Sequence, residues 1–455
     1  MTTRRRFMFG LTTAAFGGLA LASGRFAPVA PRRVAAGYGP LRRDPAGVLD
    51  LPDGFDYRVV SRVGERMQDG FVVPDNFDGM GSFALDARRV LLVRNHELRV
   101  AQHEVGALAG RRGARVASFD HDGEGRPLPG GTTNLVYDTR TGEIESQHLT
   151  LLGTIRNCAG GTTPWGSWLS CEEDVTRAGE GVDRDHGWVF EVPATATGPV
   201  EPRPLKDMGR FNHEAAAVDP RSGIVYLTED RDDSLFYRFL PAARGELARG
   251  GRLQALALAT REVPADARNW SGRPWDIGAW HETRWIDLDE VESPADDLRL
   301  RGHAAGAVRF ARGEGIHYGD GEFFFCCTSG GAAGYGQVMR YRPSPVEGHP
   351  GEKDAPGRVQ VFVESADADM FNFGDNLTVA PNGHLVVCED QYTEVVVNRL
   401  IGVTPDGSTY PLGFLHAQTE LAGACFSPDG GTLFVNLYSP GRTLAIRGPW
   451  TTAPA

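Results

Sequence analysis

Between residues 80 and 437 one hydrophobic–polar pattern recurs. An apolar run enters a turn rich in Asp, Gly, Asn or Pro, and a second apolar run then ends in polar, often acidic, residues. Copies occupy 82–97, 157–174, 214–230, 313–329, 375–390 and 423–436. Five of the turns lie at 86–88, 219–223, 319–321, 381–383 and 427–431. Such runs are strand-length and bounded by turn formers, so each copy predicts a β-hairpin. Further strand-like runs at 187–192, 234–240, 337–342 and 400–404 follow individual copies and extend the same sheets. Repeated sheets separated by turns predict an all-β chain, a six-bladed β-propeller with irregular or helical insertions, over a β-sandwich. One propeller domain is expected over 45–450. Segment 264–298, with Trp270, Trp275, Trp280 and Trp285, reads as an insertion with short helices, and 98–131 and 343–357 read as loops. Strand ends from distant hairpins would meet at one mouth of a propeller channel.

Composition agrees with the pattern: 58 glycines and 29 prolines among 455 residues supply the turns. A formal net charge of −12 excludes a nucleic-acid binder, whose affinity rests on Lys and Arg. The same acidity suits hard cations. Thr3-Arg4-Arg5-Arg6-Phe7-Met8 precedes an apolar run over 9–22. That is a twin-arginine export signal in form, with 1–30 as signal and leader and cleavage sites at Ala22 or Ala30. It implies use of the twin-arginine export machinery and a periplasmic or extracellular protein. The run is too short for a stable membrane anchor. Six cysteines occur without a CxxC pair, which excludes a zinc ribbon; mostly free, buried thiols are expected.

Within 157–174 the chain passes from glycines through Trp165–Ser170 to Cys171, Glu172, Glu173 and Asp174. A thiol beside acids at a strand end is a poor packing choice and a good metal-ligand choice. Successive strand residues face opposite ways, so Glu173 is left out of the expected site, as is Asp174. No phosphate loop with Lys and Ser or Thr occurs, and no GxSxG elbow.

Several motifs resemble, in order, the PhoX family of bacterial alkaline phosphatases. They are Asn95-His96-Glu97, Asn157-Cys158-Ala159-Gly160-Gly161, Thr163-Pro164-Trp165-Gly166-Ser167-Trp168, Cys171-Glu172-Glu173, Arg210-Phe211-Asn212-His213-Glu214, Thr228-Glu229-Asp230-Arg231, Arg312-Gly313-Glu314-Gly315 and Asp375-Asn376-Leu377. The resemblance implies a six-bladed propeller holding Fe3+ and Ca2+ and hydrolysing phosphate monoesters. It implies metal ligands at Cys171, Glu172, Glu229, Glu314, Asp375, Asn376 and Asn157. It implies catalytic roles for Arg312, Glu314 and Asp375, with Arg312 gripping phosphate through its guanidinium fork. Glu97, His213 and Glu214 are further candidates as ligands or as groups that orient them. A calcium-dependent lactonase or phosphodiesterase and a non-catalytic metal-binding propeller are the competing readings. Small phosphate esters are the expected partners of a monomeric chain.

Overall fold

The computed structural model describes residues 33–111, 116–391 and 393–452. The twin-arginine segment at 1–30 lies outside them. All six predicted hairpins form: Phe77–Ala84 with Arg89–His96, Asn157–Thr162 with Ser167–Glu172, His213–Val218 with Val225–Glu229, Gly313–Gly319 with Glu322–Cys327, Gly374–Val379 with Leu385–Glu389, and Leu421–Phe426 with Thr432–Leu437. Among the described residues only Leu298–Ala304 is α-helical, so the chain is all-β and propeller-like.

The hairpins grow outward into five sheets, of four, three, nine, six and four strands. The nine-stranded sheet joins two hairpins through their outermost strands, where His281–Asp287 pairs with Arg358–Glu364. The Trp-rich insertion is thus largely irregular and contributes this bridging strand, while the short helix begins only at its end. An early strand, Asp56–Arg62, pairs with Arg442–Arg447 and so ties the start of the described chain to its end.

In each sheet the first strand of a hairpin lies at the sheet edge, and these six strands stand side by side in a closed ring. Close approach is enforced by small residues. A Cβ on Gly79 would lie 2.5 Å from the Cα of Ala159, and one on Gly315 would lie 2.8 Å from the Cα of Asn376. Both faces of each hairpin are covered by neighbouring sheets, which is why Leu169 and Trp168, adjacent in one strand, enter different cores. Only sheet edges and strand ends meet the central axis.

Candidate metal centre

Every inner strand carries a β-bulge near its start. Ladder pairing is interrupted between Phe77 and Met80, Asn157 and Gly160, His213 and Ala216, Gly313 and Ile316, Gly374 and Leu377, and Ala422 and Cys425. A bulge leaves its extra residue off the ladder and re-aims the side chain. The first residues released are Asp78, Cys158, Glu214, Glu314 and Asp375, each of which lines a cavity of about 300 Å³ on the axis. The sixth bulge begins at Gly423 and supplies no ligand side chain. The residue just after the second strand forms another tier. Its N–H donates to the carbonyl of the residue just before the inner strand in all six hairpins: Glu97 to Asn76, Glu173 to Arg156, Asp230 to Asn212, Thr328 to Arg312, Asp390 to Phe373 and Tyr438 to Glu420. Glu97, Glu173, Asp230, Asp390 and Tyr438 of this tier face the same cavity.

Ligand-type atoms gather there in three groups, each within 4.8 Å: Cys158, Glu173 and Glu214; Glu214, Glu314 and Asp375; and Asp78, Glu97 and Glu420. Glu214 belongs to two of them. It is fully buried, and neither of its oxygens accepts a properly directed hydrogen bond. Burial pushes Glu214 well above the ordinary carboxylate range, and Asp375, Glu173 and Asp78 push it further, against a smaller lowering by the neighbouring Cys158 thiol. Asp78, Glu173 and Glu314 are raised the same way, by burial first and acid neighbours next, although Arg156 draws Glu173 down and Arg312 draws Glu314 down. Asp375 is pushed up to about 7 by burial and by Asp390. The Cys158 thiol is raised by burial and by Asp78, toward which it donates at 3.6 Å. Buried anions that raise one another, around a carboxylate that accepts no well-directed hydrogen bond, fit cations: a positive ion would satisfy its oxygens and reverse each shift. A thiolate with carboxylates suits a transition metal, and the oxygen-only group of Asp78, Glu97 and Glu420 suits a hard cation.

Two arginines rim these acids. Arg312 donates from Nε and Nη2 to both oxygens of Asp230 at 2.7 and 2.9 Å, and from Nη2 to Glu314 Oε1 at 2.8 Å. Burial alone would raise Asp230, but the Arg312 ion pair holds it below the usual range. Arg156 donates from Nε to Glu97 Oε1 at 2.8 Å and pairs with the Glu173 carboxylate. Both arginines take positive φ, 53° and 46°, in the left-handed region that non-glycine residues rarely adopt. The turn thereby aims each guanidinium at the axis.

The expected ligands divide. Glu314 and Asp375 face the cavity beside Arg312. Cys171 does not: it is fully buried in a core with Leu169, Val189 and Phe211, so the candidate thiol moves to Cys158. Glu172 turns between sheets, accepting from Ile155 N at 3.1 Å and Gly187 N at 3.0 Å and contacting His186 Nδ1 at 2.7 Å. Burial opposes the charge of His186, yet Glu172 and Asp120 lift it to about 9. Glu229 accepts from Tyr237 Oη at 2.7 Å, and burial pushes it up to about 7. Asn157 bonds Thr154 and Ser170 away from the axis. Asn376 accepts from Gly423 N at 2.8 Å and donates to Asp375 at 3.1 Å, so its carbonyl oxygen is used within the ring. His213 contacts Gly209 O at 2.9 Å and stacks on Phe211. Sequence reasoning set Glu173 aside and left Asp78, Asp230, Asp390, Glu420 and Arg156 unassigned. Their signal is positional: the residue just before the first strand (Arg156, Glu420), an acid or thiol at the start of that strand (Asp78), and the first residue beyond the second (Glu173, Asp230, Asp390).

These shifts make metal-free stability depend on pH. An acid raised in the folded state keeps a proton that the unfolded chain has already released, so stability falls as pH rises between the two pKa values. For Asp375 the window runs from an unfolded value of about 4 to about 7, and for the other raised acids it extends higher. Chelated protein is expected to melt at lower temperature at about pH 8 than at about pH 5, with added calcium restoring the loss. A melt that rises with pH in chelator would contradict the buried-acid cluster.

An anionic cluster fitted for cations and rimmed by arginine, at the hub of a propeller-like all-β fold, suits a metal-dependent phosphatase. The chain belongs to the alkaline phosphatase PhoX family, whose family model matches residues 36–441. It is accordingly a phosphoric monoester hydrolase. Among solved structures it resembles Pseudomonas fluorescens PhoX in complex with vanadate, a transition state analogue, at 18% identity and a TM-score of 0.66, over 88% of this chain and 96% of that one. Fainter likenesses are to the Xanthomonas campestris gluconolactonase XC5397 (14% identity, TM-score 0.37, 92% of this chain and 99% of that one) and the Myceliophteria thermophila Cps50 (Swd1) beta-propeller domain (9%, 0.41, 86% and 99%). No curated protein matches the sequence.

Proposed function

We propose that this chain is an exported phosphomonoesterase in which six blades, spanning 45–450 as one unit, converge on an iron and calcium site. The six bulged hairpins support the blade count, with the nine-stranded sheet read as two blades fused at their outer strands. The arginine pair and apolar run at 4–22 support twin-arginine export. Among the described residues no helix is long and apolar enough to cross a membrane.

The observation that carries the reading is Glu214, a buried carboxylate shared by two ligand groups, whose oxygens accept no well-directed hydrogen bond among the described residues and have the Cys158 thiol as a nearby donor. Iron would be held by Cys158, Glu173 and Glu214, with Glu314 and Asp375 beyond the shared glutamate, and calcium by Asp78, Glu97 and Glu420. When bound, the cations supply Lewis-acid charge that offsets the phosphate and the charge developing on its oxygens. Asp230 steadies Arg312 from one side, so the guanidinium meets a phosphate in one orientation. Glu314 ties Arg312 to the ligand group, so phosphate and metal positions are set together. Asp375 lies with Glu214 and Glu314. Its raised affinity for a proton in the metal-free state gives way once a cation is nearby.

The test is turnover of p-nitrophenyl phosphate by purified protein loaded with iron and calcium. Chelation is expected to lower the rate about a hundredfold or more, with recovery when both metals return. Unchanged turnover in chelator, or preferential hydrolysis of a lactone or phosphodiester, would overturn the proposal.

A further inference from the structure

The bulges that carry ligands have a cost. Cys158, Ala159, Asp78 and Gly79 lie outside the ladder pairing of their own hairpins. Their buried carbonyls therefore need partners from elsewhere. For two bulges an asparagine of the neighbouring sheet provides them. Asn95, in Arg89–His96, donates from Nδ2 to Cys158 O at 3.0 Å and to Ala159 O at 2.7 Å. Its Oδ1 accepts from Trp168 Nε1 and Ser170 Oγ, each at 2.9 Å. Asn436, in Thr432–Leu437, donates from Nδ2 to Asp78 O at 2.6 Å. Its Oδ1 accepts from Thr443 Oγ1 at 2.7 Å, and Thr443 accepts in turn from the buried Arg94 Nη1 at 2.7 Å. Both asparagines are fully buried, and neither lines the metal cavity.

We propose that Asn95 and Asn436 are positioning residues, each setting the ligand-bearing bulge of the next sheet: Asn95 for the Cys158 thiol and Asn436 for the Asp78 carboxylate. The chemistry favours asparagine over aspartate, because only an amide both donates to the bulge carbonyl and accepts from the supporting hydroxyl or indole. The two sit in equivalent strands but serve different ligand groups. Asn95 serves the thiol-containing group and Asn436 the oxygen-only group. A purely structural role would disturb both groups alike; positioning separates them. The inference rests on the proposed metal site.

The experiment uses metal-free full-length protein and two probes. Cobalt(II) reports thiolate ligation through its ultraviolet charge-transfer band, with Cys158→Ser as the control that abolishes it. Calcium binding is followed by calorimetry. Loss of a group that orients a ligand typically costs about ten- to a hundredfold in metal affinity. Asn95→Ala is expected to weaken cobalt affinity, titrated through the thiolate band, by that factor and leave calcium affinity unchanged, and Asn436→Ala is expected to do the reverse. Asn95→Ser and Asn436→Ser retain one small donor, and each is expected to shift its own probe in the same direction, more weakly and with a near wild-type melt. Variants that lower both probes together, change neither, or unfold even as serine would overturn the inference while the metal site stands. Wild-type protein with neither the thiolate band nor calcium binding would overturn the site itself.

Discussion

Glu214→Gln is expected to abolish phosphomonoester turnover and, under alkaline conditions, to stabilise the metal-free protein. The side chain is shared by two ligand groups, and neither oxygen accepts a well-directed hydrogen bond. Glutamine keeps the shape but loses the charge, so cation binding at both groups should fail and kcat/KM should drop about a thousandfold or more, the scale of losing a principal electrostatic contributor. Without metal the same exchange relieves repulsion from Asp375, Glu173 and Asp78, and it adds two N–H donors among their oxygens. An unsatisfied buried polar group costs about 1–3 kcal/mol. A melting temperature a few degrees higher in chelator at about pH 8 is therefore expected. Activity within tenfold of wild type would exclude Glu214 as the hub. Lower stability in chelator would show that its oxygens are satisfied in solution.

The hairpins were legible because their turns are written in local chemistry: Asp219 to Gly223 and Ser427 to Gly431 admit little but a reversal. The acidic strand ends are legible too, but the acids that face the axis lie one residue beyond them. Glu172 and Glu229 end their strands, and their side chains obey strand alternation into the cores between sheets. Glu173 and Asp230 follow them, free of the ladder, and turn to the axis. The thiol was displaced for a related reason. Cys171 sits in regular strand and must pack, whereas Cys158 sits in a bulge and is released. Bulges depend on ladder pairing across the hairpin, which no single strand's hydrophobic pattern encodes. The pairing of His281–Asp287 with Arg358–Glu364 was hidden in the same way, since it joins segments far apart in the chain. Glu314 and Asp375 are expected ligands that do fall on bulge residues, and both line the cavity.

Arg312 separates charge from geometry. Its guanidinium holds Asp230 by two bonds and Glu314 by another, and it borders the cavity. If it served only to neutralise those acids, lysine would replace most of its effect. If its planar fork must hold both Asp230 oxygens in parallel while another edge meets phosphate, lysine would fail nearly as badly as alanine, because an ammonium is a point donor without that fork. Arg312→Lys is expected within about threefold of Arg312→Ala, with both about 10²- to 10³-fold below wild type in kcat/KM and metal content unchanged. The pH profile distinguishes the two variants. Arg312 keeps Asp230 ionised against burial, so alanine should let the Asp230 pKa climb and move the acid limb of the residual rate to higher pH, while lysine largely retains it. Near wild-type activity in Arg312→Lys would remove phosphate recognition from Arg312 and leave it the role of partner to Asp230.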